Sequence, residues 1–176
     1  MTFILLIGVI FIVVFLLNKQ KFLSLVNENT ILVKKLSDSN WFNNPWLSGL
    51  FIFTLNAILF SGAVGLIFLT SLLFIPYIHL VIMLLATVMS IYLWSVIRNA
   101  GQKQRKDQII MSGIGSSFYL FLFLGFLYMT FTLEPGTPEN DTFMAFIGLV
   151  FAMFVSIVAM TVCFIITGLN KNVHSN

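Results

Sequence analysis

FMAFIGLVFAMFVSIVAMTVCFIITGL, residues 143–169, runs for 27 positions without one charged side chain. A helix crossing the ~30 Å hydrocarbon core of a bilayer needs about 20 such residues, whereas the core helices of soluble proteins stop at roughly 10–14. No water is present in that core, so each backbone N–H and C=O must be satisfied within the segment, and a single apolar run does this as an α-helix. The stretch therefore reads as a membrane span. Working outward from it, four more apolar stretches appear, at 1–17, 47–74, 77–97 and 109–133. The first is the shortest, and the second is long enough to tilt or project.

Composition agrees with this reading. Of the 176 residues, 59% are hydrophobic and only 9% are charged, against roughly 25% charged in a soluble domain. So few charges would not cover a water-facing surface. The 20 phenylalanines suit lipid-facing and helix-packing positions. Cys163 is the one cysteine, which excludes an internal disulfide or a multi-cysteine zinc site. Heavy use of Ile, Phe, Asn and Lys suggests an AT-rich bacterial genome, and hence a bacterial plasma membrane.

Charge sets the orientation. With the N-terminus outside and five spans threaded, the inner segments are 18–46, 98–108 and 170–176, and the outer ones are 75–76 and 134–142. All nine basic residues, Lys19, Lys21, Lys34, Lys35, Arg98, Lys103, Arg105, Lys106 and Lys171, then fall inside. This is the asymmetry that the positive-inside rule describes. It accounts for the basic balance of the chain without nucleic acid, which is not expected as a partner. A cleaved signal peptide carries its positive charge before the apolar run. Here MTFILLIG has none, NKQK follows the run and no A-x-A-like site comes after it, so a retained helix is expected.

The expected fold is all-α, a polytopic integral membrane helix bundle with five transmembrane helices. Its N-terminus is out, its C-terminus is in, and a cytoplasmic amphipathic helix is added. Its parts are an N-terminal span (1–17), a cytoplasmic amphipathic segment (18–46), a four-helix transmembrane bundle (47–169) and a tail (170–176). Within 18–46, Phe22, Leu25, Val26, Leu32, Val33 and Leu36 recur at helical spacing, which predicts a helix lying on the inner membrane surface. Phe22, Leu25, Asn29, Leu32 and Leu36 also fit the a/d spacing of a short coiled coil, with Asn29 at an a position. Trp41, Phe42 and Trp46 are expected as interfacial anchors, and Trp94 with Arg98 as anchors of the third span. Pro76 breaks the second span from the third and makes them a tight hairpin.

LEPGTPENDT, residues 133–142, is the main outer loop. Pro135, Gly136 and Pro138 suit a turn, and Asp141 or Thr142 can cap the fifth span. Its carboxylates, Glu134, Glu139 and Asp141, make it a candidate outside contact. NDT spells a glycosylation sequon, but it lies against the membrane and a bacterial source makes it moot.

No Asp, Glu, Lys or Arg lies in the body of any expected span. Intramembrane ionisable groups mark most proton pathways, voltage sensors and membrane active sites, so a charge-coupled mechanism is not expected. His79 is the only histidine near a span. It would share the outer side with the three carboxylates, but a lone interfacial histidine is more often a hydrogen-bonding end residue, and neither metal nor cofactor is expected. GIGSSF, residues 113–118, is reminiscent of an intramembrane serine protease, yet a serine nucleophile needs a base within about 3 Å. At ~1.5 Å rise per residue, Ser116 and His79 differ in depth by roughly half a membrane, and no catalytic residue is expected.

Small residues explain the same segment better. Helices in lipid associate through close packing and hydrogen bonds, and Ser112, Gly113, Gly115, Ser116 and Ser117 offer a narrow surface. Gly148, Ala152, Ser156, Ala159 and Cys163 form a stripe along the fifth span. Ser61 and Gly65 form a small-xxx-small pair on the second, where Asn56 should hydrogen-bond to another helix. The candidate packing or partner-binding residues are thus Asn56, Ser61, Gly65, Gly113, Ser117, Gly148, Ala152 and Ser156. These point to a non-enzymatic multi-pass protein that acts through helix–helix contacts as an accessory, regulatory, assembly or protective partner of another membrane component, or that self-associates. The alternatives are a small transporter or pore for an uncharged solute, with Asn56 on its path, and a lipid-acting enzyme.

Overall fold

A computed structural model describes residues 31–73, 78–101, 104–134 and 142–168. The expected first span, the basic residues Lys19, Lys21, Lys103 and Lys171, and Glu139 and Asp141 of the outer loop lie outside the described residues. Those residues form five helices and no strand: α1 (Ile31–Ser37), α2 (Pro45–Leu72), α3 (Ile78–Ala100), α4 (Arg105–Phe131) and α5 (Thr142–Gly168). The four long helices are each long and apolar enough to cross a membrane.

Local chemistry explains where they begin. Pro45 occupies the first turn of α2, where a missing N–H costs nothing. Asn44 caps it, accepting from the Trp46 backbone N–H at 3.0 Å. Both residues lie just before the apolar run, so α2 starts two residues ahead of the hydropathic boundary. Before them, Asn40–Asn43 make one turn of 3₁₀ helix. At the far end of α3, the helix continues through Arg98 to Ala100, and the Gly101 N–H closes on the Arg98 carbonyl at 3.3 Å.

The long helices form a ring in which α2 packs on α3 and α4, α5 packs on α3 and α4, and α1 lies against α3. Chain connectivity makes the α2–α3 and α4–α5 neighbours antiparallel. It follows that the two hairpins meet through parallel neighbours, α2 with α4 and α3 with α5.

Burial is concentrated at one end. On α2 the buried positions are Ser48, Gly49, Ile52 and Asn56; on α3 they begin at Trp94. On α4 they end at Ser116, and on α5 they begin at Ser156. This is the end that carries Lys34, Lys35, Arg98, Arg105 and Lys106, and we call it the basic end. Three glycines let the backbones close there. A Cβ at Gly49 would meet the Ile114 Cβ at 2.8 Å, one at Gly115 would meet the Ile52 Cγ2 at 2.5 Å, and one at Gly168 would strike the Ser112 hydroxyl.

The closure also sets the aromatic side chains. Phe42 is buried against the bundle, while Trp41 and Trp46 remain exposed. Trp94 is 3% exposed and lies in the core instead of at the interface. An indole is drawn inward where its N–H finds a buried acceptor, and one is present, as described below. In the described part of the 18–46 segment, Val33 joins the same core with Leu36 packed against it, and Ile31 stays exposed.

Candidate functional site

The most polar point inside the bundle is Asn56, about two-fifths of the way along α2 and 0% exposed. Its carboxamide touches all three other long helices. The Trp94 Nε1–H of α3 donates to Asn56 Oδ1 at 2.9 Å. Asn56 Nδ2 donates to the Gly115 carbonyl of α4 at 3.1 Å and to Cys163 Sγ of α5 at 3.8 Å. Indole can only donate, so the amide oxygen must face Trp94 and the amide nitrogen the carbonyl and thiol. The orientation of the amide is thereby set by its partners.

Each partner is placed by its own helix. The absent side chain of Gly115 brings the α4 backbone against Ile52, within reach of the amide one turn further along α2. Cys163 is buried, and its carbonyl accepts from the Thr167 hydroxyl at 2.7 Å. Trp94 stacks edge-on against Tyr119, with centroids 6.2 Å apart, and Tyr119 against Phe118 at 5.3 Å. Phe118 meets Phe53 and Phe60 of α2 in the same edge-on manner. An aromatic ladder thus continues from the polar centre along the α2–α4 contact.

The arrangement holds a carboxamide, an indole, a thiol and a backbone carbonyl, with no carboxylate, imidazole or cationic side chain among them. Its chemistry is that of a latch. The residues Trp94, Gly115 and Cys163 complete it; only a chemical inventory of donors and acceptors at matching depth would have joined them to Asn56 in advance.

The other candidate residues are distributed differently. Ser156 is buried and Ala152 half-buried, and the Ser156 hydroxyl donates to the Ala152 carbonyl at 2.8 Å. Ser117 is half-buried, its hydroxyl donating to the Ile114 carbonyl at 2.7 Å. Ser61, Gly65, Gly113 and Gly148 are exposed, and a Cβ at any of the three glycines would meet nothing within 4 Å among the described residues. Ala substitution at Gly65 or Gly148 is accordingly expected to leave the fold intact. It should raise stability by up to about 1 kcal/mol through helix propensity, as reversible unfolding in mixed micelles would measure.

Ser116 is buried and its hydroxyl donates to the Gly113 carbonyl at 3.3 Å, while His79 is exposed in the first turn of α3, at the opposite end of the bundle. Among the described residues no group of three His, Cys, Asp or Glu side chains is placed to hold a metal. Glu134 is exposed, and its carbonyl accepts from the Thr142 hydroxyl at 3.2 Å, tying the end of α4 to the start of α5.

With four long apolar helices arranged about a buried polar latch, the chain is a multi-pass helical membrane protein. Comparison with protein-family models, curated proteins and solved structures finds no match.

Proposed function

We propose that this chain is a non-enzymatic accessory protein of a bacterial plasma membrane, acting by helix–helix contact on another membrane component. In this reading the basic end faces the cytoplasm. The observation that carries it is the division of the small residues into two sets. Gly49, Gly115 and Gly168 are filled by neighbouring helices, whereas Ser61, Gly65, Gly113 and Gly148 are exposed, and among the described residues nothing lies within 4 Å of a Cβ at these last three glycines. A glycine in a helix interior costs about 1 kcal/mol relative to alanine, and packing among the described helices does not offset that cost at the second set. Close approach by a helix from another chain does, because small residues are what lets membrane helices come together.

The test uses the outward set alone. Gly65→Leu and Gly148→Leu should leave the purified protein no less stable to thermal unfolding than wild type, with a gain of up to about 1 kcal/mol as for alanine. They should also abolish recovery of a partner cross-linked in native membranes. Recovery of the same partner in equal yield by both variants would sink the proposal. Flux of an uncharged solute into liposomes holding only this protein would replace it with the transporter reading.

A further inference from the structure

The basic end carries all five cations found among the described residues. Lys34 and Lys35 belong to α1, Arg98 to α3, and Arg105 and Lys106 to the first turn of α4. Among the described residues, Asp38 and Asp107 are the acids that accompany them there, while Glu134 lies at the far end. Lys34, Lys35, Arg105 and Lys106 are exposed. Cations in the first turn of a helix oppose its dipole, so helix stability does not account for Arg105 and Lys106. On the same end Trp41 is 43% and Trp46 66% exposed, and indoles in that position settle at headgroup level. Cations placed only to orient insertion would require no particular lipid around the folded protein.

We propose that the basic end is a binding surface for anionic phospholipid headgroups, with Lys34, Lys35, Arg105 and Lys106 holding the phosphates and Trp41 and Trp46 seated among them. Each basic side chain near an anionic surface contributes about 1 kcal/mol, roughly fivefold in binding. The annulus at this end is therefore enriched in anionic lipid, whatever protein the bundle docks.

Tryptophan quenching tests the idea on the full chain reconstituted in bilayers. Brominated phosphatidylglycerol is expected to quench Trp41 and Trp46 with an apparent affinity about fivefold above brominated phosphatidylcholine. The buried Trp94 supplies an unquenched background. The preference should fall toward one when salt is raised about tenfold, since exposed charges are screened, and likewise in the variant K34Q/K35Q/R105Q/K106Q. A reporter at the opposite end, Phe131→Trp in a Trp41→Phe/Trp46→Phe background, where the Phe131 side chain is 81% exposed, should show no preference. Equal quenching by the two lipids would overturn the proposal, as would a preference that survives high salt in the wild type. An equal preference at Phe131→Trp would also overturn it, by showing a property of the whole annulus. Loss of the preference on adding inorganic phosphate at matched ionic strength would assign the surface to a soluble phosphate ligand instead.

Discussion

Gly115→Leu is expected to prevent the two hairpins from closing at the basic end. A Cβ alone at this position would lie 2.5 Å from the Ile52 Cγ2 and 2.6 Å from its Cβ, inside the van der Waals distance of a branched side chain that is itself 0% exposed. Ile52 has little room to move, because the Gly49 contact with Ile114 holds the same pair of helices together one turn earlier. Gly115→Ala should cost about 2 kcal/mol, in the range for overpacking a core, and Gly115→Leu more than about 3 kcal/mol. The α2–α4 separation should increase as well, readable as a longer distance between spin labels on those helices. Gly113→Ala, two residues away and with no described neighbour within 4 Å of a Cβ, is the matched control and should be neutral or slightly stabilising. Equal effects at positions 113 and 115 would mean that helix propensity, not close approach, governs this segment.

The second large effect is expected at Asn56. Asn56→Ala leaves the Trp94 N–H without its acceptor in a dry core and withdraws the donor shared by the Gly115 carbonyl and Cys163. A buried polar group deprived of its partner costs about 1–3 kcal/mol. Measured hydrogen bonds between membrane helices are nearer ~0.6 kcal/mol, with a maximum of about 1.7. The loss at Asn56 should lie near the upper end, about 2 kcal/mol, because one side chain serves three helices. Trp94→Phe keeps most of the ring and removes only the donor, for a smaller loss of about 1 kcal/mol. The double variant should be less destabilised than the sum of the two, by roughly 0.5–1 kcal/mol of coupling. Strict additivity in mixed-micelle unfolding would show that the 2.9 Å contact contributes nothing.

These two positions show where sequence reasoning succeeds and where it stops. Asn56 stands out in the sequence because an amide amid apolar residues must find a partner in lipid. That constraint does not reveal which partner. Trp94 carries the same apolar body and polar tip whether it sits at a headgroup or in a core, and only the crossing of α3 against α2 turns its N–H inward. Gly113 and Gly115 are equally small and two residues apart. At 3.6 residues per turn they point about 160° apart, so one meets Ile52 and the other faces away from it. Gly115 shares its face with the buried Gln108, Ser112 and Ser116, but the size of the two glycines does not distinguish them.

Membrane residence, the four long helices and the collection of the described cations at one end follow from the sequence alone. Run length and charge placement act locally and need no neighbour to be interpreted. The parallel apposition of α2 with α4 and of α3 with α5, the inward position of Trp94 and Phe42, and the choice of Gly49, Gly115 and Gly168 as the points of closure were decided only by tertiary structure. In a bilayer, lipid and protein interior are equally apolar, so the hydrophobic pattern that marks an inward face in water is lost. Shape and a single hydrogen-bonded amide are left to select the packing.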